Sequence, residues 1–250
     1  FADVEKRTLL IDPKRVEALI TPRTKAVIAV DFAGQPCAYE QLVAICDEHG
    51  IELVSDACHS IGAEYQGRKV GTLAGMTCFS FHPVKHITTG EGGMIVTDNA
   101  EFANRMRRFR NHNINVDSRQ RSEAGSWYYE VVDLGYNYRI TDFQCALGSS
   151  QLKKLDSFVE KRRLIANRYN NLFSNNNNLI ILGAHSTVKH SYHLYPLQID
   201  FENLSLTKVQ FFEYMKESGI NLQVHYIPIH LQPYYKKNFA DAQLSTGVCN

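Results

Sequence analysis

The chain has 250 residues, 44% hydrophobic and 21% charged, the composition of a globular protein able to bury a substantial core as one large domain with a smaller one beside it. Its 27 basic and 26 acidic side chains leave a formal charge of +1, so no global field attracts nucleic acid or an anionic membrane, and any anion must be bound locally. No apolar run approaches the length of a bilayer span, the opening FADVEKRTLL lacks the pattern of a signal peptide, and a cytoplasmic location is expected.

In chain order, residues 25–30 (KAVIAV) form a β-rich run. Residues 38–49 place Leu42, Val43, Ile45 and Cys46 on one helical face, stopped by Gly50, and IELVS (51–55) predicts the next strand. Together they make a βαβ unit with parallel strands. MTCFSF (76–81) and GMIVT (93–97) predict two further strands, residues 101–111 a basic helix, and residues 112–133, without a clear period, a long loop. A long helix is predicted from Thr141, where Thr-Asp-Phe-Gln offers a capping box with Gln144 and Phe143, Leu147, Leu155, Phe158, Val159 and Ile165 continue an apolar face. It ends at the polar run 174–178, which sets the expected boundary between a large domain (1–175) and a small α+β domain (176–250) with strands at 193–199 and 220–226 and a helix at 207–218. Cys37, Cys46, Cys58, Cys78, Cys145 and Cys249 form no CxxC pair and read as reduced thiols.

In open α/β sheets ligands bind outside the carboxyl ends of the strands. SDACH (55–59) ends one strand and Lys85 follows another by a few residues, so a carboxylate (Asp56), an imidazole (His59) and an amine can face one crevice. A pyridoxal phosphate site needs such a set: a well-held amine that forms a Schiff base, and a carboxylate against the pyridinium nitrogen. His59 could hold the ring's phenolic oxygen, and Ser80 with nearby backbone N–H groups could take phosphate oxygens. Each residue also has an ordinary reading: Asp56 as a turn or cap residue, Lys85 as a solvated side chain, His59, His82 and His86 as structural histidines, and Gly90, Gly92 and Gly93 as a hairpin turn.

The stretch SDACHSIGAEYQGRKVGTLAGMTCFSFHPVKHITTGEGGMIVTD resembles the cofactor-binding core of the DegT/DnrJ/EryC1/StrS sugar aminotransferases. GYNYRITDFQCALGSSQLKKLDSFVEKRR resembles the segment that follows, and HLYPLQI and GINLQVHYIPIHLQPYY resemble the family's small domain. The resemblance implies an α/β fold of the fold-type I, aspartate aminotransferase-like class, with a mixed, mostly parallel sheet in the large domain and a small α+β C-terminal domain. It implies pyridoxal 5'-phosphate as cofactor, Lys85 as the reactive lysine and proton shuttle, Asp56 as partner of the pyridinium nitrogen, and His59, often Gln in relatives, against the ring's oxygen. Ser80 matches a phosphate ligand, Asn137 one that reaches the phosphate across a homodimer interface, and Arg139 is another candidate for that role. His225, Tyr226 and His230 stand where family members meet the sugar nucleotide, with an edge strand of ordinary polar side chains as the alternative.

SFHPVKHITTGEGG, GSWYYEVVDLGYNYR and VHYIPIHLQPYY look most like the pseudaminic-acid branch. That likeness implies amination of C4 of a UDP-linked 4-keto-6-deoxy sugar by L-glutamate, which leaves as 2-oxoglutarate, in sites shared by a homodimer, with no nucleic-acid or membrane partner. A related sugar 3-dehydratase is the nearest rival, but those enzymes carry histidine where Lys85 stands. A metal-binding module using His59, Cys58, Cys78, His82 and His86 lacks a recognised ligand spacing, and a non-catalytic scaffold is disfavoured by Lys85 together with Asp56. Measured against the family's pattern, the chain is expected to be a fragment lacking the N-terminal phosphate-binding helix and the last C-terminal elements.

Overall fold

Alternating side chains of the βαβ unit decide which face of the sheet is covered. The computed structural model describes residues 1–239. Residues 240–250, with Cys249 and the end of the expected small domain, lie outside the described residues. Ala26–Val30 (β1) and Glu52–Asp56 (β2) pair in parallel, Met76–Ser80 (β5) joins β2 in parallel, and Gly93–Val96 (β6) closes the edge antiparallel, giving the order β1-β2-β5-β6. The mixed, mostly parallel sheet implied by the family resemblance is therefore present. Between β2 and β5 lie two short strands, Glu64–Tyr65 (β3) and Arg68–Lys69 (β4).

Pro13–Leu19 (α1), capped by the Asp12 carboxylate, and Tyr39–His49 (α2) cover one face of this sheet. Val27, Ala29 and Leu53 pack there with Leu10, Val16, Leu42 and Cys46, the period-2 side chains of the strands meeting the period-3.6 stripe of the helix. Gly50 ends α2 in the left-handed region at φ 61°, as the sequence predicts. The other face leaves Ile28, Val30 and Ile95 exposed.

One buried carboxylate ties the unit together. Asp31, just beyond β1, is fully buried and accepts from Cys37 N (2.9 Å), the Tyr39 hydroxyl (2.8 Å) and Ser60 Oγ (2.6 Å), while the Tyr39 hydroxyl also contacts Ser55 Oγ on β2. Burial raises its pKa to about 6, and these donors oppose the rise.

Ala100–Phe109 (α3) confirms the basic helix, capped by Asn99. The aperiodic stretch after it contains a short helix, Ser118–Glu123 (α4), whose capping box joins Asp117 to Gln120; that D-x-x-Q signal stood in the sequence inside a segment without apolar period. The long helix expected from Thr141 is two helices, Asp142–Leu152 (α5), with the predicted Thr141–Gln144 box, and Leu155–Phe173 (α6). The break comes where packing takes over: Leu155 and Val159 of α6 bury against Phe81 and Ile87, whereas Phe143 and Leu147 of α5 stay exposed.

Beyond α6 the chain pairs Leu179–Ile181 (β7) with Leu197–Ile199 (β9), and between them Val188–Lys189 (β8) adds to β3 beside the large sheet. The strand expected over 193–199 is shortened to β9 because Leu194 N bonds to Ala33 O and Pro196 has no N–H to offer a ladder. Lys208–Glu217 (α7), capped by Thr207, matches the predicted helix. The strand expected over 220–226 does not form: the segment is irregular and finds no ladder partner among the described residues, and it runs on to the short helix Pro233–Asn238 (α8). No helix among the described residues is long and apolar enough to cross a membrane.

Leu42 is wholly buried between α2 and the sheet, so Leu42→Ala should lower unfolding free energy by about 2–5 kcal/mol in urea titration, whereas Thr141→Ala, which removes one helix cap, should cost about 1 kcal/mol. Equal losses for the two variants would contradict this placement of the core.

Candidate active site

The parallel strands deliver their carboxyl ends side by side. Val30, Asp56 and Cys78 stand in register across β1, β2 and β5, and each strand continues into a loop bearing polar side chains. Asp56 ends β2 and its Oδ1 accepts from Cys58 N at 3.1 Å, an Asx turn that starts the loop to His59. Ser80 ends β5, opposite Gly93, and its Oγ accepts from His82 N at 3.3 Å. Lys85 lies on the turn that follows, its N–H bonded to His82 O at 3.0 Å, and its side chain is half-buried.

Electrostatics shows which groups share this space. Burial lowers the Lys85 amine below its ordinary value, and Asp56 works in the opposite direction. Burial and a hydrogen bond donated to the Asp56 carboxylate push the Cys58 thiol up to about 12, while Lys85 pulls it back, so Cys58 stays a neutral thiol. His59 is buried and held at about 4, first by desolvation and then by Lys85, with His225 and His86 adding to the effect and Asp56 opposing it. Asp56, Cys58, His59, Lys85 and His225 thus belong to one neighbourhood.

Two residues that the sequence did not single out complete it. His193 stands with its ring centroid 4.4 Å from that of His59 and 5.5 Å from that of His86. Ser191 is wholly buried, its hydroxyl against His59 O and its carbonyl bonded to His86 Nε2. His190 and His193 sit in a segment more than 100 residues after His59, and no local spacing signals that they return to it. The Nδ1 atoms of His59, His86 and His193 are all buried without a hydrogen-bond partner among the described residues. Burial holds His86 at about 4 and lowers His193 further, so the cluster is uncharged near neutrality.

The remaining predicted residues are placed elsewhere. Asn137 bridges Asn111, and Arg139 Nη1 donates to Asn111 Oδ1 at 2.8 Å; both are exposed. Tyr226 is exposed beside His225, and His230 is buried against the Phe1 ring, 6.2 Å between centroids. His82 is exposed and lies 3.7 Å from the Glu91 carboxylate. Among the described residues no group of three or more His, Cys, Asp or Glu side chains is disposed to hold a metal ion.

A pyridine-type aldehyde cofactor fits this donor set. The half-buried amine with a lowered pKa, the carboxylate at the end of β2 and the orphaned, buried Nδ1 of His59 are the three kinds of group its aldehyde carbon, ring nitrogen and ring oxygen require.

The chain matches the model of the DegT/DnrJ/EryC1/StrS aminotransferase family over residues 1–249. It is 38% identical over 240 residues to the UDP-4-amino-4,6-dideoxy-N-acetyl-beta-L-altrosamine transaminase of Campylobacter jejuni, covering 95% of this chain and 62% of that protein. Helicobacter pylori PseC, an aminotransferase involved in the biosynthesis of pseudoaminic acid, superposes with a TM-score of 0.89 at 36% identity, over 98% of this chain and 64% of that one. The PMP form of Spr1654 from Streptococcus pneumoniae, a sugar aminotransferase by its description, superposes with a TM-score of 0.85 at 30% identity, over 94% of this chain and 64% of that one. The chain spans 62% of the length of the curated relatives it matches.

The shifted imidazole gives a test with a definite sign. Between about 4 and 6.5 the unfolded chain protonates His59 while the folded chain does not, so this contribution is complete above the unfolded value and is lost as pH falls toward 4. Asp31, raised to about 6, acts in the opposite sense, which makes a comparison with His59→Gln necessary, since Asp31 is common to both proteins. Relative to that variant, wild-type stability should fall by up to about 3 kcal/mol between pH 7 and pH 4. A pH-independent difference would show that His59 is not held neutral.

Proposed function

The chain belongs to the DegT/DnrJ/EryC1/StrS aminotransferase family, and from that premise together with the site we infer the reaction. The protein is proposed to be a pyridoxal-phosphate-dependent aminotransferase that converts a nucleotide-linked 4-keto-6-deoxy sugar to the 4-amino sugar with L-glutamate as amino donor. The UDP-linked sugar of a pseudaminic-acid-type route is the proposed substrate, supported by the names of the transaminase and of the structural neighbour that the chain resembles. The observation that carries the reading is the half-buried Lys85 amine, depressed below its ordinary pKa, in the neighbourhood of Asp56 and His59.

When bound, pyridoxal phosphate supplies the carbonyl that exchanges amines and the ring that accepts electrons from a substrate carbanion. Lys85 would hold it through Nζ; as the base, Nζ must be neutral to remove the proton from Cα of glutamate, and desolvation favours that neutral form. In the second half-reaction the same Nζ delivers a proton to C4 of the sugar. The Asp56 carboxylate holds a positive N–H at the ring nitrogen, and His59, neutral at working pH, meets the ring oxygen through a nitrogen that the protein leaves unpartnered. Ser80 Oγ and adjacent backbone N–H groups address the phosphate.

Asn137 and Arg139 are assigned to the phosphate of a second subunit in a homodimer. Support comes from their exposure and from Trp127, Leu134 and Phe143 in the same stretch of chain, which are 85%, 87% and 90% exposed, apolar side chains that a partner would cover. His225, Tyr226 and His230 are proposed sugar-nucleotide contacts, His225 having an electrostatic link to His59. The large and small domains are assigned to residues 1–175 and 176–250, and the reaction to the cytoplasm.

The full-length protein should purify yellow, with a visible absorbance band that borohydride bleaches and peptide mapping assigns to Lys85. A colourless protein that takes up no pyridoxal phosphate would sink the reading. Lys85→Ala should retain the cofactor noncovalently and form no 2-oxoglutarate from glutamate, and normal turnover by that variant would remove Lys85 from the chemistry. A panel of UDP- and dTDP-linked ketosugars fixes the substrate. For the shared site, mixed dimers of Lys85→Ala and Asn137→Ala chains should recover activity, which independent sites could not do.

A further inference from the structure

The loops bearing His59 and Lys85 leave different strands, and nothing within either loop fixes the separation of imidazole and amine. The segment from His190 to His193 does so from outside. Its four consecutive carbonyls are all engaged by side chains: His190 O accepts from Arg163 Nε at 2.8 Å, Ser191 O bonds His86 Nε2 at 3.0 Å, and Tyr192 O and His193 O each accept from Arg162 Nη1 at 3.1 Å. Since a carbonyl only accepts, His86 must carry its proton on Nε2, the neutral tautomer that burial favours.

Ser191 stands at the centre of this arrangement. Its N–H donates to Gly34 O at 3.0 Å, and its hydroxyl lies 3.1 Å from both Gly34 O and His59 O. One residue therefore touches the loop after β1 (Gly34), the loop after β2 (His59) and the turn after β5 (His86, adjacent to Lys85). The fit leaves no slack. Gly34 has φ +103°, and a Cβ there would stand 2.6 Å from Ser191 Oγ, 2.8 Å from His59 O and 2.9 Å from His193 N.

We propose that Ser191 is a positioning residue, which through its hydroxyl on His59 O and its carbonyl on His86 Nε2 sets the placement of the His59 imidazole relative to the Lys85 amine. The proposal rests on the assignment of His59 and Lys85 to the cofactor site, but the clasp is a property of the protein alone and is measurable without cofactor. Loss of either bond frees one loop against the other and lets water reach Lys85, which raises the amine toward its ordinary pKa.

The test is hydrogen exchange on the full-length apo protein, with Ser191→Ala, His86→Leu and His86→Gln, the last keeping a donor near the place of Nε2. In Ser191→Ala and His86→Leu the amides of Ser60 and Lys85 should exchange about fivefold to tenfold faster, the effect of one lost hydrogen bond, while the β1–β2 ladder stays as in wild type and His86→Gln behaves like wild type. Leu42→Ala serves as the control for global destabilisation. Unchanged exchange at Ser60 and Lys85, or equal acceleration of the ladder, overturns the proposal. In parallel, the pH midpoint for borohydride trapping of pyridoxal phosphate on Lys85 should move upward in Ser191→Ala, and an unmoved midpoint also counts against it. If wild type traps no pyridoxal phosphate, the functional assignment fails, and the exchange pattern still decides the clasp.

Discussion

The buried carboxylate of Asp31 is the constraint on which the rest of the structure depends. An ionised group without solvent is costly unless its lone pairs are filled, and three donors from three parts of the chain fill them: Cys37 N, the Tyr39 hydroxyl and Ser60 Oγ. The end of β1, the start of α2 and the loop after β2 must converge for this to happen, and the Tyr39–Ser55 contact adds β2 itself. Ser60 is the residue after His59. Satisfying the buried charge therefore also fixes one side of the loop that carries the imidazole, while Ser191 holds the other side through His59 O.

Around Lys85 the fold uses desolvation in the same direction for several groups. Amine and imidazoles alike lose affinity for protons, so the three imidazoles beside Lys85, those of His59, His86 and His193, are neutral near pH 7 and do not add their charge to that of the amine. Asp56 is the opposing charge, close enough to moderate the shifts of His59 and Lys85. An amine that must be neutral to move protons is thereby placed where neutrality is inexpensive, and the unpartnered imidazole nitrogens leave hydrogen-bonding capacity for a ligand.

Much of this was legible in the residues. The βαβ unit, its Gly50 stop, the strands flanking Lys85, the Thr141 cap and the helix after Thr207 follow from local rules, because each depends on side chains a few positions apart. Asp56, His59 and Lys85 came together as expected because parallel strands bring their carboxyl ends to one edge. Local reading failed where a partner lay far along the chain. The break between α5 and α6 comes where Leu155 and Val159 meet Phe81 and Ile87, and the strand expected over 220–226 finds no neighbour to pair with among the described residues.

By itself, then, the sequence determined the βαβ pattern and placed a carboxylate, an imidazole and an amine at strand ends, since period, capping and strand-end position are short-range properties, and its resemblance to known segments carried the family. Only the tertiary structure decided that Ser191 and His193 close the space beside His59 and Lys85, and that the arginines of α6 hold their segment in place. The bonds of Ser191 to His59 and His86 span more than 100 residues of chain, and the physical reason such contacts escape sequence reading is that a buried carbonyl accepts whichever donor the fold brings to it.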